Sequence, residues 1–596
     1  MPVFLRTLLA LLLLAGSAPA QFLSDHLAHP ERNISYVDSC ARFWMPTWDP
    51  VQGGFYTNID RTGQVISAWG RNKNLLTQTR NAYGLVRAFQ LTGEQSYLDR
   101  AHEALVWMLA HAWDTANGGG WVSSLGENGL PTSPNDSRSA FDAHYALLGL
   151  AAYVEATGDP EMLAALLAGI EHLEAHFWDD RPGLEGYWDH TNSSNGNPGG
   201  KSFNATVDAV TTHVLLMDLM TGEPQYRQRL QTLAGQMVSH LVASMPAQAI
   251  GFVEEYNPDW QPDNGETMTI MGHVLKTAWC LGRTYRLDGN PQWLDASHTL
   301  FDNVWDLGYD HEYGGPYKDF NRVTGQMLMW SNPDTAKAWW QMEQAVVAGL
   351  MLNGLSEDER QLQMADETLV FFMDHFVDPV YGEIYENRTI RGNETWGLNK
   401  GGGGKAGYHS IETGYYAYLY GKLLLHGDPA TLRYRFVSAE LERNIRLTPI
   451  AIEEGELQIA QILHEGEPWT DFDPLERTLH IPAGNGGEFE VVFQRAGTGL
   501  PAPDGRGLPG AITLSAGQPN PFNPSTRLSF TLAHAGQARL CVYNLAGQRV
   551  ATLLEGPTAA GSHELRFDAG HLPSGLYFVS LEALGQCRTR KLSLVR

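Results

Sequence analysis

Two histidines, each near the predicted start of a helix, are the residues of this chain best suited to move protons. His273 lies in the segment Met271-Gly-His-Val-Leu-Lys-Thr-Ala-Trp279, and His409 follows a run of four glycines in Lys405-Ala-Gly-Tyr-His409. The ordinary pKa of imidazole lies near neutrality, so a pair of imidazoles suits general acid–base chemistry. The pair is a candidate acid–base site, although a lone histidine at a helix start equally fits a structural cap.

Two further segments carry polar and aromatic residues near predicted helix starts. Arg80 ends Thr77-Gln-Thr-Arg80, and its permanent charge would stabilise a developing oxyanion. In Lys337-Ala-Trp-Trp-Gln-Met-Glu343, Trp339 and Glu343 are four residues apart and share one helical face. The structural alternative is that the tryptophan belongs to the core and that the carboxylate is the buried partner of a cation.

A unit of helix, tight turn, helix and glycine-aromatic loop recurs along the chain at a spacing of roughly 65 residues. The loops follow a pattern such as Trp48-Asp49 to Gly53-Gly54-Phe55. Six hairpins with their loops on one side predict a mainly α fold, a closed (α/α)6 toroid over residues 27–430. Its loops would surround a central pocket, which favours a carbohydrate enzyme. The turns are Thr92-Gly93-Glu94, Thr157-Gly158-Asp159-Pro160, Thr221-Gly222-Glu223-Pro224, Asp288-Gly289-Asn290-Pro291, a weaker Gly354-Leu355-Ser356-Glu357-Asp358, and Gly427-Asp428-Pro429.

From Leu27 to Leu425 the chain resembles the N-acylglucosamine 2-epimerase superfamily, which includes cellobiose 2-epimerases and mannose isomerases. Four motifs occur in the family's order: Thr-x-Arg, Gly-His-x-x-x-x-x-Trp, Lys-x-Trp-Trp-x-x-Glu and Tyr-His. The resemblance implies that a proton next to the aldehyde of a reducing sugar is removed and that the enediolate is reprotonated at C2 or at C1. No cofactor and no metal are expected. The implied roles are acid and base for His273 and His409, oxyanion contact for Arg80, and sugar contact for Trp339 and Glu343.

The chain departs from the family pattern where the sugar would be recognised. Lys276 replaces a carboxylate three residues after His273, and a cation there should depress the imidazole pKa if the two are close. Gly404 replaces an aromatic residue that would stack on sugar, and Asp208 aligns near a histidine of the cellobiose epimerases. Further substrate contacts are expected from Lys276, Tyr408, Phe141 and Asp208, with packing as the alternative role for Tyr408.

Two other functions fit the same toroid. A glycoside hydrolase or lyase would need two carboxylates across the scissile bond. A sugar-binding protein without catalysis is the third possibility, suggested by Lys276 and Gly404. Candidate carboxylates for the hydrolase are Asp142, Asp208, Glu254, Glu255 and Glu343, none of which forms a recognisable pair in sequence.

Composition excludes some partners. The 596 residues include 41 Lys plus Arg against 67 Asp plus Glu, a net charge of −26, which argues against nucleic-acid binding. Residues 1–20 are typical of a secretory signal peptide, with an apolar run from Leu8 to Ala15 that is too short for a membrane span. An exported protein that is not integral to a membrane is expected. Four scattered cysteines indicate no metal site, and Cys541 and Cys587 either pair or remain buried thiols.

From residue 434 onward the sequence changes to β patterns. Residues 434–495 predict a small β module, residues 496–511 a Gly/Pro-rich linker, and residues 512–596 a second β region. The last region resembles the C-terminal sorting domain of type IX secretion cargo, which implies an immunoglobulin-like β sandwich. That resemblance implies secretion machinery as a partner and a secreted or cell-surface location, the alternative being a merely accessory sandwich. It depends on Gln518-Pro-Asn-Pro-Phe-Asn-Pro-Ser-Thr526, Val542-Tyr-Asn-Leu-Ala-Gly-Gln548 and Leu572-Pro-Ser-Gly-Leu-Tyr-Phe578.

Overall fold

The chain divides into two compact units, the first ending at Arg495 and the second beginning at Ala496. The predicted signal peptide, residues 1–20, and all but the first residue of the predicted linker, residues 496–511, lie outside the described residues. The computed structural model describes residues 22–595 except for 246–248, 264, 330–331, 357, 450–451, 453–456, 497–511, 515–516, 518, 533–534, 545–548, 571 and 584–585.

The helices of the first unit follow the predicted hairpins, and several continue through a π-helical turn. They are α1 (Asp25–Ala28), α2 (Arg32–Trp44), α3 (Leu75–Thr92), α4 (Gln95–Ala112), α5 (Ala140–Thr157), α6 (Pro160–His176), α7 (Phe203–Ala209), α8 (Leu215–Thr221), α9 (Pro224–Gln236), α10 (Met271–Asp288), α11 (Pro291–Asn303), α12 (Trp339–Asn353), α13 (Glu359–Phe371) and α14 (Gly407–Tyr420).

These helices form the predicted (α/α)6 toroid. Helices α3, α5, α7–α8, α10, α12 and α14 form the inner ring, and most of their residues are buried on every side, as expected for helices that are apolar all round. The outer helices are amphipathic; α4, for example, buries Tyr97, Leu98, Ala101, Leu105 and Met108 on one face.

The ring is closed by helices from the two ends of the toroid sequence. The turn at 427–429 leads into a strand and not into a helix, so the sixth outer helix is α2, which packs against α14. Tyr36 of α2 donates a hydrogen bond to the Ser410 carbonyl at 2.9 Å. Gly414 allows this close approach, since a Cβ there would lie 2.6 Å from Val37 Cγ2.

Among the described residues, five loops on the open face of the ring are each held by a buried ion pair, which we call a loop clamp. In the first, Lys73 Nζ lies 2.7 Å from Asp49 Oδ2 and 2.7 Å from the Gly53 carbonyl oxygen. Asp49 also accepts the backbone N–H groups of Val51 and Gln52. The same clamp recurs as Lys201–Asp179–Gly186, Lys337–Asp310–Gly314 and Lys400–Asp378–Gly382, and as an arginine version in Arg138–Asp114.

Short antiparallel strands in these loops carry the chain from one hairpin to the next. They are β1 (Arg138–Ser139), β2 (Trp178–Asp179), β3 (Gly186–Tyr187), β4 (His190–Thr191), β5 (Lys201–Ser202), β6 (Glu255–Tyr256), β7 (Met268–Ile270), β8 (Asp319–Asn321), β9 (Leu328–Met329), β10 (Asn332–Pro333), β11 (Ala336–Ala338) and β12 (Asn387–Thr389).

The small β module forms two antiparallel sheets of order β13-β19-β15-β16 and β14-β18-β17. Leu432 and Tyr434 of its first strand share the hydrophobic core of the toroid, and Arg433 bonds to the carbonyl of Leu91 at the end of α3. The module therefore covers the turn face of the ring, opposite the clamped loops. Its strands are β13 (Ala430–Phe436), β14 (Arg443–Arg446), β15 (Leu457–His464), β16 (Glu467–Trp469), β17 (Phe472–Asp473), β18 (Thr478–Ile481) and β19 (Gly487–Arg495).

The second unit is a β sandwich, as expected from the sequence, with sheets of order β20-β21-β24 and β23-β22-β25-β26. Leu528 and Phe530 of one sheet pack with Leu540 and Leu581 of the other. Cys541 is a buried free thiol, whereas the side chain of Cys587 lies outside the described residues. The strands are β20 (Ile512–Leu514), β21 (Ser525–Leu532), β22 (Gly536–Asn544), β23 (Arg549–Thr558), β24 (Gly561–Asp568), β25 (Gly575–Ala583) and β26 (Gln586–Leu594).

None of the helices in the described part of the chain combines the length and the apolar character that a membrane crossing requires.

Candidate active site

The N-terminal ends of all six inner helices converge on one cavity of about 240 Å³ at the open face of the ring. The positive ends of helix dipoles favour negative charge, so this arrangement suits an oxyanion. The residues that line the cavity are Arg80, Phe141, Tyr145, Asn204, Asp208, His273, Lys276, Trp339, Trp340, Gly404 and His409.

His273 lies in the first turn of α10 and is held by a carboxylate and two aromatic rings. Its Nδ1 is 2.9 Å from Glu254 Oε2. Its ring stacks on Phe203 at a centroid distance of 3.7 Å and an interplanar angle of 18°. Since a carboxylate oxygen accepts, the bonded nitrogen carries the proton, and Nε2 is left with its lone pair when the ring is neutral.

His409 lies in the first turn of α14 and is almost completely buried. Its Nδ1 is 3.2 Å from Glu343 Oε2. Burial, together with the nearby cations Arg80, Lys276 and Lys405, lowers the pKa of His409 well below its ordinary value. The imidazole is therefore neutral at physiological pH, the state that a general base requires.

The indole of Trp340 is shared by the two histidines. Its ring centroid lies 5.1 Å from that of His273 and 6.3 Å from that of His409. The two imidazoles thus line one cavity and neighbour the same indole.

Arg80 reaches the cavity from the second turn of α3. Its guanidinium stacks 4.3 Å from the ring of Tyr145 and donates to the Gly404 carbonyl. The Nε–H of Arg80 has no hydrogen-bond partner in the part of the chain that the structure describes. Gly404, where an aromatic residue is expected from the family pattern, instead supplies the carbonyl that orients this cation.

Lys276 and Asp208, the two charged departures from the family pattern, are partners. Lys276 Nζ lies 2.5 Å from Asp208 Oδ1 and 3.3 Å from the hydroxyl of Tyr145. Although burial alone would lower it, the neighbouring Asp208 carboxylate holds the pKa of Lys276 above its ordinary value. Oδ2 of Asp208 has no hydrogen-bond partner among the described residues. Lys276 is one of the cations that lower the pKa of His409, which is the imidazole on which its expected depressing effect is found.

The structure brings seven of the nine predicted site residues to the cavity wall and leaves two behind it. Glu343 is fully buried under His409, and Tyr408 packs against Tyr83 with ring centroids 4.9 Å apart. The seven at the wall are Arg80, Phe141, Asp208, His273, Lys276, Trp339 and His409.

Sequence reasoning missed several residues of the site. Glu254, Phe203, Asn204 and Tyr145 hold or line the cavity, and each lies outside the four motifs. Asn204 and Tyr145 share with the predicted residues a position in the first two turns of an inner helix. A search of the first two turns of every predicted inner helix could therefore have found Asn204 and Tyr145. Nothing in the local sequence connects Glu254 with His273.

Among the described residues, Glu343, His409 and Glu412 form a cluster in which one side-chain oxygen or nitrogen of each lies within 4.8 Å of the others. Each of the three already hydrogen-bonds another member of the cluster or a neighbouring protein group, so protein contacts hold the cluster together. All three side chains are buried, and the group belongs to the His409 side of the cavity.

Comparisons with known proteins agree with the fold and the cavity. Residues 54–413 match the family model of N-acylglucosamine 2-epimerase (GlcNAc 2-epimerase). The cellobiose 2-epimerase of Bacteroides fragilis is 23% identical over 400 residues, which cover 65% of this chain and 97% of the relative. The solved cellobiose 2-epimerase of Spirochaeta thermophila superposes with a TM-score of 0.58 at 24% identity, covering 66% of this chain and 96% of that one. A D-mannose isomerase structure gives a TM-score of 0.59 at 20% identity, covering 68% and 99%.

The fold, the cavity and these matches define a sugar epimerase or isomerase. Because the family model covers more than half of its length, the chain belongs to the N-acylglucosamine 2-epimerase family. Residues 518–595 match a second model, the secretion system C-terminal sorting domain, so the β sandwich is a sorting domain.

Proposed function

We propose that this enzyme epimerises or isomerises a reducing sugar by proton transfer between His273 and His409. The observation that carries the proposal is that both imidazoles line one cavity and contact the same indole, that of Trp340. Each also has its Nδ1 bonded to a carboxyl oxygen, which leaves Nε2 for the substrate.

The sugar enters the cavity and its ring opens. His409, neutral because of burial and neighbouring cations, removes the proton from the carbon next to the aldehyde. The electrons of the broken C–H bond form a double bond between C1 and C2, and the aldehyde oxygen takes the negative charge of the enediolate. For epimerisation, His273 acts as an imidazolium and donates the proton on its Nε2 to the opposite face of C2, so that the C1 carbonyl re-forms. For isomerisation, the hydroxyl proton on O2 moves to O1 and a proton is returned to C1, which gives the ketose. In the reverse direction the two imidazoles exchange roles.

The negative charge of the enediolate needs stabilisation in the transition state. Arg80 is a permanent cation at the wall, and the inner helices direct their N-termini toward the same space. Preorganised donors of this kind contribute most where charge develops during the reaction. The step requires no cofactor.

The cavity suits a small sugar unit. Its volume of about 240 Å³ is below the roughly 300–1,000 Å³ of pockets for drug-sized ligands. Trp339 and Phe141 supply apolar faces, and Asp208 with Lys276 supplies an acceptor and a donor for hydroxyl groups. We assign Glu343 and Tyr408 to the support of His409 and not to sugar contact, since both lie behind it.

Hydrolysis by a carboxylate pair receives less support. Retaining and inverting glycosidases need two carboxyl groups roughly 5–9.5 Å apart beside the scissile bond. Among the described residues that line the cavity, Asp208 is the one carboxylate, and it is paired with Lys276. Glu254 is engaged by His273.

The deciding experiment follows deuterium from heavy water into reducing sugars. We expect deuterium at C2 of at least one member of a panel containing glucose, mannose, N-acylglucosamine and cellobiose, with the epimer or ketose as product. His273→Asn and His409→Asn should each reduce the exchange by about 10²- to 10⁴-fold. Release of new reducing ends without exchange would refute the proposal, and so would full exchange in either variant.

We also propose that the protein is exported and that its sorting domain directs it to the medium or the cell surface. The match of residues 518–595 supports this proposal. Deleting residues 512–596 should leave the toroid active but retained inside the cell envelope. Unchanged export of the shortened protein would contradict the proposal.

A further inference from the structure

A second carboxyl group lies beside the carboxyl group that holds His409. Glu412 is in α14, one turn after His409, and Glu343 is in α12. One carboxyl oxygen of each lies within 4.8 Å of the other and of a ring nitrogen of His409. All three side chains are buried, so bulk solvent screens these charges little.

The hydrogen bonds around the two carboxyl groups differ. Glu412 accepts from the hydroxyl groups of Tyr83 and Tyr408, which stabilise a negative charge. Glu343 accepts through Oε2 from Gln344, and the same oxygen faces Nδ1 of His409. Oε1 of Glu343 is buried without any other partner among the described residues.

Two carboxylates this close in a buried site do not both ionise, because each charge disfavours the other and burial disfavours both. Burial and the neighbouring Glu412 raise the pKa of Glu343 well above its ordinary value. Burial also raises the pKa of Glu412, against the opposing effect of its tyrosine donors. The titratable and charged groups around the pair are Tyr83, Arg87, Lys276, Arg283, Tyr408, His409, Tyr415 and Tyr416.

We propose that Glu343 and Glu412 hold one proton between them, and that Glu412 is thereby a positioning residue that keeps His409 neutral with its own proton on Nδ1. The geometry that carries the proposal is the cluster of two buried carboxyl groups and one imidazole, with two tyrosine hydroxyl groups on Glu412. The inference about catalysis rests on the proposed role of His409 as a base.

The arrangement has a chemical consequence. With the shared proton on Oε1, Glu343 is a neutral acceptor for Nδ1–H, so His409 is oriented but is not drawn into its charged form. The pair as a whole still carries one negative charge. That charge stabilises the imidazolium when His409 takes the substrate proton.

The first test measures the shared proton directly. Infrared spectra of the full-length protein in D₂O at neutral pH should contain a protonated carboxyl band that disappears in Glu412→Gln. Glu490→Gln, a change of the same type in the β module, should keep the band. If the band in the wild-type spectrum does not change in Glu412→Gln, the inference is refuted, whatever the enzyme's activity.

The second test measures the pH dependence of kcat/KM for deuterium exchange. In Glu412→Gln, Glu343 becomes ionised beside His409, so the acid limb of the profile should move upward by about one pH unit. Tyr83→Phe removes a hydrogen bond that stabilises the negative charge on Glu412, so the shared proton lies more on Glu412 and Glu343 becomes more negative. The acid limb should therefore move upward in this variant too, but by less. A folded Glu412→Gln enzyme with an unmoved limb would contradict the positioning role, since a merely structural role lowers stability without shifting a titration.

The experiments distinguish failure of the proposed function from failure of the shared-proton proposal. Absence of exchange with every sugar in the wild-type protein would remove the proposed function, while the infrared band would still decide whether the proton is shared.

Discussion

Buried lysine–aspartate pairs occur in two regions of the molecule, the loop clamps and the cavity wall. The two regions differ in the further hydrogen bonds that the paired side chains make. In the loop clamps, Lys73 also bonds the Gly53 carbonyl, and Asp49 accepts two backbone N–H groups. In the cavity, Lys276 and Asp208 bond each other, but Oδ2 of Asp208 is left without a partner among the described residues. A pair whose polar atoms are bonded stabilises the fold, whereas an incomplete pair at a cavity wall offers an acceptor to a hydroxyl group.

The pKa shifts in the two regions also favour opposite charge states: the ionised form in the clamp and the neutral form beside the cavity. Although burial alone would raise it, hydrogen bonds from Lys73 and Tyr56 hold the pKa of Asp49 well below its usual range, so this carboxylate stays ionised. Beside the cavity, burial lowers the pKa of His144 to about 4 and that of His409 well below the ordinary value. Charge thus holds the loop at Asp49, whereas burial keeps His144 and His409 neutral.

The largest effect is expected from breaking a clamp. Lys73→Met leaves Asp49 buried without its cation, which should lower the free energy of unfolding by about 3–5 kcal/mol. Equilibrium unfolding in denaturant measures this free energy. Lys276→Met is the matched variant in the cavity, and it should lower the same quantity by only about 1–2 kcal/mol because water can enter beside Asp208. Equal losses in the two variants would erase the distinction between the regions.

Removing the acceptor in the cavity should affect catalysis more than the fold. Asp208→Asn replaces a charged acceptor for a sugar hydroxyl, and kcat/KM for deuterium exchange should fall about 10- to 100-fold. Asp310→Asn, in a clamp, serves as the control: the protein should be less stable, but its folded fraction should retain kcat/KM. A larger loss of kcat/KM in the clamp variant would contradict the assignment.

Acid should destabilise the protein through the neutral imidazoles. The folded pKa of His144 is lowered to about 4 from an ordinary 6.5, so below pH 6.5 the unfolded chain binds a proton that the native state excludes. Stability therefore falls as the pH drops, by about 2 kcal/mol at pH 5 from this residue. Unfolding at pH 7.5 and pH 5 should show the loss, and His144→Gln should reduce it. The same acid sensitivity in His144→Gln would show that other groups cause it.

The smallest effect is expected from the Tyr145 hydroxyl, which borders the Lys276–Asp208 pair. Tyr145→Phe removes the hydroxyl that lies 3.3 Å from Lys276 Nζ but keeps the ring under Arg80. Loss of this single long hydrogen bond, from a cation that keeps its bond to Asp208, should reduce kcat/KM about threefold, with little change in stability. A loss as large as that of Asp208→Asn would mean that the hydroxyl group itself contacts the sugar.

The repeat pattern predicted the toroid because its physical cause is local. Gly93, Gly158, Gly222 and Gly289 adopt positive φ values of 75°, 59°, 66° and 73°, which end one helix before the next begins. The aspartates of the loop motif proved to be the anchors of the clamps. The sequence did not predict that the turn at 427–429 enters a strand, since the same turn residues fit either continuation.

The candidate site could be predicted only in part. His273, His409 and Arg80 were found because their motifs lie at helix starts, which the fold directs to one face. The pairing of Lys276 with Asp208 joins positions 68 residues apart, and it depends on the ring bringing α7 beside α10. No local spacing encodes such a contact. The boundary between the toroid and the β module stays a prediction, and strand β13 begins at Ala430, before residue 434.

The packing of α2 against α14 has a consequence for how the enzyme is made. The outer helix synthesised first, α2, is covered by the inner helix synthesised last, α14, so a growing chain that ends before residue 407 exposes the apolar sides of Tyr36 and Val37. No truncated ring can bury that surface. We therefore expect the toroid to mature only after synthesis has passed its final helix, and a nascent chain to need protection from aggregation until then.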